Sequence, residues 1–134
     1  MALFEPYSIT VVILGLTGLL FLIQLLVFDV MSIKSGRIPG TSVEQNHKSF
    51  LFRSCRAFEN SNESVGILLL LTAFGLLSSA DADWLNTAAV VYFSGRVFHM
   101  IFYYLNQKVL RSVGFGVSVL GLFGIFLSGA LTWI

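Results

Sequence analysis

Residues 9–28 read ITVVILGLTGLLFLIQLLVF, twenty positions without a charge, broken by Gly15, Thr17, Gly18 and Gln24. A membrane-crossing helix takes about 20 predominantly apolar residues, so this stretch reads as a first transmembrane span. It lacks the basic start and small-residue cleavage site of a secretory leader and is longer than a usual leader core, so it is expected to be retained. The rest of the chain agrees. Of its 134 residues, 56% are hydrophobic and 11% charged, and the mean hydropathy is +0.85. A soluble domain runs nearer a quarter charged, so the fold class expected is an all-α integral membrane protein.

Three further spans follow. Residues 31–48 hold Ser-Gly, Pro39-Gly40 and several polar residues, the marks of a loop. From Ser49 a helical pattern leads into the apolar run 65–77, and a short acidic turn, 78–83, precedes Trp84. The expected spans are 7–29, 49–79, 84–106 and 111–134, forming one four-helix transmembrane domain over 1–134. Trp84 and Trp133 fall where interfacial aromatics are expected, near one membrane face. Span four offers Gly114, Gly116, Ser118, Gly121, Gly124 and Ser128 as small positions that support close helix approach and assembly.

The eight basic residues fix an orientation. Lys34, Arg37, Lys48, Arg53 and Arg56 lie in or just after the first loop, Lys108 and Arg111 lie in the third, and Arg96 lies inside span three. The N-terminus, second loop and C-terminus have none. By the positive-inside rule, the first and third loops face the cytoplasm and both termini face away. The net charge of +1 and the absence of any run of like charges exclude nucleic acid as an expected partner. The single cysteine, Cys55, makes no internal disulfide and reads as a small apolar filler. His99 and the remote His47 give no metal signature, so no metal is expected. Asn62-Glu63-Ser64 matches a glycosylation acceptor by chance, because it lies on an expected cytoplasmic helix.

Ionisable side chains inside spans are rare and mark paired or functional positions. Span two carries Arg53, Arg56, Asn60 and Glu63 at separations of 3, 4 and 3, which places them on one helical face. Span three repeats the device with Tyr92, Arg96, His99 and Tyr103, separated by 4, 3 and 4. Both rows fall toward the cytoplasmic half, level with Arg111 and Ser112. Antiparallel packing of these helices gathers an excess of positive charge around one cavity. Such a cavity suits an anionic ligand with one ammonium group, since guanidinium forks hold carboxylates and Glu63 answers the cation. Plainer roles exist for several members: Arg56 with Glu63 and Arg53 with Glu59 make structural pairs, juxtamembrane arginines touch lipid headgroups, and histidine on a helix often only packs. Arg96 resists these readings, because nothing at helical spacing on its own helix neutralises it.

The stretch RSCRAFENSNE, residues 53–63, resembles the R-x-x-R-A-x-x-N-x-x-E motif of the MAPEG family, the membrane-associated proteins of eicosanoid and glutathione metabolism. RVFHMIFY, residues 96–103, followed by Arg111-Ser112, is similar to that family's third-span motif and fourth-helix start. Length, layout and orientation agree over nearly the whole chain, which looks like the microsomal glutathione transferases and prostaglandin E synthases. The resemblance implies a homotrimer of four-helix bundles with glutathione bound as cosubstrate between protomers near the cytoplasmic face. By position, Arg53, Arg56, Asn60, Glu63, Arg96, His99 and Tyr103 are implied to hold the peptide, and Arg111 and Ser112 to face its sulfur as the catalytic pair. Phe58 and Glu59 stand where synthase-like members tend to have histidine and arginine, and Phe115 where some have tyrosine. Glu59 thus sets an anion beside a site for an anion.

The function expected from the resemblance is a glutathione-dependent transferase or peroxidase acting in detoxification on lipophilic electrophiles or lipid hydroperoxides, in a cell inner membrane or one of the endoplasmic reticulum type. A non-catalytic lipid-binding member of the same fold is the second reading. A small multidrug or ion transporter coupled through Glu63 is the third, and it leaves Arg96 unexplained.

Overall fold

The computed structural model describes residues 2–134, with side chains from Glu5 onward. After a 3-10 turn, Ala2–Tyr7, four helices follow: α1 (Ser8–Lys34), α2 (Phe50–Leu77), α3 (Ala82–Tyr104) and α4 (Lys108–Ala130), with a final 3-10 turn, Leu131–Trp133. No strand occurs among the described residues. Helices and closed β-barrels satisfy every backbone group without water, and continuous apolar runs of about 20 residues, in place of alternating strands of about ten, select helices.

Two boundaries differ from the sequence reading. The first helix runs past Phe28 and Asp29 to Lys34, because nothing in 29–34 forbids a helix; Gly36, at φ +67°, provides the left-handed residue that ends it. At 27 residues it is about 40 Å long, so its last turns extend beyond a hydrocarbon layer of about 30 Å. The fourth helix begins at Lys108, three residues before Arg111. Arg111 therefore lies in its first turn, and the turn before it is set by Asn106 at φ +56°. Asp81 starts α3 by accepting from the Trp84 amide at 2.9 Å.

Three helical segments are long and apolar enough to cross a membrane: Glu5–Lys34, Phe50–Leu77 and Lys108–Trp133. The third of the four expected spans, α3, is long enough but not apolar enough. The reason is its position. It packs on α1, α2 and α4, and buries Asn86, Tyr92, Arg96, His99 and Tyr103 against them. A helix facing protein on most sides has no need of a continuous apolar surface.

The tightest seam is between α3 and α4. A Cβ on Gly114 would stand 2.7 Å from the His99 amide nitrogen. A Cβ on Gly95 would meet the Ser118 nitrogen, and one on Gly121 the Tyr92 nitrogen. The small positions of α4 serve packing inside the chain: Gly114, Ser118 and Gly121 face α3, Gly124 faces Ala88, and Ser128 is buried. Gly116 alone among the six has open space. Below the seam, Leu68, Leu85, Ala88, Tyr92, Leu122 and Ile125 form the buried core.

The bundle has two chemically distinct ends. At one, Trp133 Nε1 donates to Ser78 Oγ at 2.9 Å, and Trp84 lies beside Gly124, so the two tryptophans share an end as expected. At the other lie the loop 35–49 and the α3–α4 turn, with all the basic residues except Arg96.

Candidate functional site

At the basic end α2, α3 and α4 converge, and Asn60, His99, Tyr103, Arg111, Ser112 and Phe115 line a cavity of about 210 Å³. Asn60, His99 and Tyr103 come from the two spaced rows, and Arg111 and Ser112 are the pair expected at their level. The antiparallel course of α2 and α3 brings their two polar rows to one level, and the first turn of α4 closes the third side.

Arg96 is the centre of the polar layer behind this cavity. It is fully buried, its Nη1 donates to Asn60 Oδ1 at 3.0 Å, and its Nη2 donates to Ser61 Oγ at 2.8 Å. Among the described residues its Nε has no partner, nor has Nδ1 of His99. No carboxylate lies within 4 Å of it; the ion pair found among the described residues is Arg56 with Glu59 at 2.6 Å. A buried guanidinium without a counter-ion is costly. Asn60, whose oxygen faces Arg96, turns its Nδ2 to Glu63 Oε2 at 3.3 Å, so Arg96 and the exposed Glu63 are linked through one amide.

Arg111 lies on the Tyr103 ring, its guanidinium carbon 4.5 Å from the centroid, and its Nη1 is 3.3 Å from His47 Nδ1. Tyr103 in turn meets His99 edge-on, with ring centroids 5.2 Å apart, and His99 approaches Phe115 at 6.2 Å. The hydroxyl of Ser112 donates to the Lys108 carbonyl at 3.1 Å, a bond within the first turn of α4. That turn's free amides and the nearby guanidinium make the cavity wall electropositive.

The two rows do not enter the cavity whole: Arg96 lies buried behind its wall and Glu63 stands outside its lining. Arg53 is turned to the backbone: its Nη1 donates to the carbonyls of His47 at 2.7 Å and Lys48 at 2.9 Å, and its Nε to that of Tyr104 at 3.3 Å. It satisfies an end carbonyl of α3 and fastens the first loop there. Arg56 pairs with Glu59 and not with Glu63, and it faces a second cavity of about 700 Å³ between α1, the loop and α2. That cavity is larger and has polar groups of its own, Arg37, Gln45, Arg56 and Glu59 among them, while the smaller one is where α2 and α3 meet the start of α4. Tyr92 leaves its row as well, because its hydroxyl pairs with Ser64 Oγ at 3.0 Å in the core. Cys55 is buried, with its Sγ 3.5 Å from Glu59 Oε1.

Three participants escaped the sequence reading. Ser61 holds Arg96, and Ser64 holds Tyr92; both lie one residue beyond Asn60 and Glu63, on the adjoining edge of the same face, where serine looks like a small packing residue. His47, 64 residues from Arg111, carried no local signal, since only the folded loop brings it there. His47 is held below its ordinary pKa of 6.5, first by partial burial and then by the positive charges of Arg111, Lys108, Arg53 and Arg56.

No curated protein and no solved structure matches the chain. The model of the MAPEG family matches residues 9–131. The match takes in all four helices and both polar rows nearly from end to end, and the chain belongs to the MAPEG family.

Proposed function

We propose that this protein is a membrane-embedded, glutathione-dependent transferase or peroxidase, in which a bound glutathione is ionised and attacks a lipophilic electrophile or lipid hydroperoxide. The observation that carries the reading is Arg96, a buried cation with an unpartnered Nε and no carboxylate beside it. A small acidic peptide supplies the missing negative charge. In this reading Asn60, His99 and Tyr103 line the cavity and meet the peptide directly, Arg96 and Glu63 act on it through the Asn60 amide, Arg56 stands at the edge and Arg53 fixes the loop. Arg111 and Ser112 face the sulfur.

The chemistry follows from the charge. A free thiol has a pKa of about 8.5, and a guanidinium at a helix start favours its thiolate. A drop of about two units corresponds to about 2.7 kcal/mol of differential interaction, enough to ionise most bound thiol at neutral pH. In transfer, the sulfur lone pair forms the new bond to carbon while the leaving group departs with its electrons and takes a proton. In peroxide reduction, the sulfur attacks oxygen, the O–O bond breaks and the alkoxide takes the proton. A second glutathione then gives the disulfide and water. Electrophiles arrive from the lipid side, so partition into the bilayer selects apolar ones first.

A single chain offers about 210 Å³ here, below the 300–1,000 Å³ or so of ordinary ligand pockets. A neighbouring protomer completes each site in the homotrimer that the family resemblance implies. The basic end, by the positive-inside rule, is the cytoplasmic one, with both termini opposite.

The test is to titrate the purified protein with glutathione and follow the ultraviolet absorption of the thiolate. The proposal expects a saturable band that is lost in Arg111→Ala; no band together with no calorimetric binding overturns it. One observation favours a second reading, a lipid-binding member without catalysis: Glu59 neutralises Arg56 at 2.6 Å and so removes one cation from the ligand.

A further inference from the structure

Arg111 has a long side chain in the first turn of a helix, and its use at a sulfur atom depends on being held in one place. Two contacts hold it. Below it is the Tyr103 ring, 4.5 Å away, and beside it is the His47 imidazole, with Nδ1 3.3 Å from Nη1. A guanidinium has donors only, so Nη1 must donate, Nδ1 must accept, and the ring proton must reside on Nε2. We propose that His47 is a positioning residue of the sulfur subsite, its unprotonated Nδ1 holding the Arg111 guanidinium against Tyr103. The inference rests on the glutathione reading for what Arg111 does, while the contact itself stands on geometry.

His47 is anchored for this task although it belongs to a loop. Its ring meets Phe52 edge-on, with centroids 4.9 Å apart at 88°, and its carbonyl accepts from Arg53 Nη1 at 2.7 Å. Arg53 also binds the Tyr104 carbonyl at the end of α3. A continuous path of contacts therefore runs from Arg53 on α2, through His47, to Arg111 on α4 and Tyr103 on α3. This gives Arg53 a place in the site although it lines no part of the cavity.

The contact depends on the charge of the ring. Protonating Nδ1 would oppose one N–H to another and add a positive charge among Arg53 and Arg56 on α2 and Lys108 and Arg111 on α4. Partial burial and these four cations keep the ring neutral below its ordinary pKa of 6.5. With the folded-state value lowered, the contact survives as pH falls through 6.5 and is lost only further down.

The experiment has two arms on the full chain in detergent or lipid. In the first, histidine-labelled protein is titrated by NMR without glutathione. His47 is expected to titrate below 6.5 and to move upward in Arg111→Gln. In the second, thiolate absorbance of bound glutathione is followed against pH. His47→Phe is expected to lower the acid constant of the bound thiol about tenfold, with affinity for the peptide near neutral pH falling only about threefold, the share that ionisation itself supplies. His47→Asn, whose Oδ1 accepts where Nδ1 did at any pH, is expected to restore the acid constant and remove the step on the acid side. The proposal is overturned if His47 titrates normally and ignores Arg111→Gln, or if His47→Phe leaves the thiol as acidic as before. If the first arm behaves as expected and the wild-type protein binds no glutathione, it is the glutathione reading that fails, and the hold of His47 on Arg111 stands.

Discussion

At the tryptophan end of the bundle Asn86 is buried, yet each of its amide atoms has a partner: Oδ1 accepts from the Thr10 amide and hydroxyl at 3.0 and 2.8 Å, and Nδ2 donates to the Pro6 carbonyl at 2.9 Å. At the basic end Arg96 is buried more completely and keeps an unpartnered Nε and an unneutralised charge. Both are polar residues of α3, ten positions apart, inside the same helix bundle. The difference separates two uses of buried polarity. Where donors and acceptors match among themselves, polarity fixes the fold; where positive charge is left over, as at Arg96, it is the charge that the proposed acidic ligand answers.

Four substitutions test that contrast, taken from the largest effect to the smallest. Gly121→Val sets a side chain against the Tyr92 backbone and should open the α3–α4 seam that joins both ends. A loss of about 3 kcal/mol is expected in unfolding experiments, with both ends affected together. Asn86→Leu strands Thr10 and the Pro6 carbonyl and should cost about 2.5 kcal/mol of stability, while glutathione affinity remains as in the wild type. Arg96→Met reverses the pattern. Stability should hold or rise, because the desolvation cost of a lone cation disappears, and glutathione binding should fall about thirtyfold, or about 2 kcal/mol, by calorimetry. If Arg96→Met unfolds the protein as Asn86→Leu does, the two ends are alike and the contrast is false. The smallest effect is Glu59→Gln, which frees Arg56 from its pair and should tighten glutathione about threefold, or about 0.6 kcal/mol.

Much of the bundle was legible in the chain. The four helices, the turns and the shared end of the tryptophans follow from apolar length and from glycine, proline and charge at the breaks. The rows from Arg53 to Glu63 and from Tyr92 to Tyr103 were legible as faces, because helical spacing decides which residues lie on one side. Spacing does not decide which edge of a face turns toward which neighbour. Arg53 and Tyr92 share their rows' register, yet they bind the Tyr104 carbonyl and Ser64. Helix α3 lacks a stretch as apolar as those of the other three helices because it packs on all of them and answers to its neighbours as well as to lipid. The glycines of α4 were legible as close-packing positions, but only the packed structure shows that α3 is the partner. His47 was beyond reach, since a loop residue gains its neighbours from the course of the whole chain.

The most direct test counts protons. Glutathione is titrated into the detergent-solubilised wild-type protein by calorimetry near neutral pH, in two buffers of different ionisation heat. Capture of an acidic thiol peptide by unneutralised cations predicts saturable binding with release of close to one proton per occupied site, because the bound sulfur ionises. Binding with no proton release, or no binding heat in either buffer, would contradict the account.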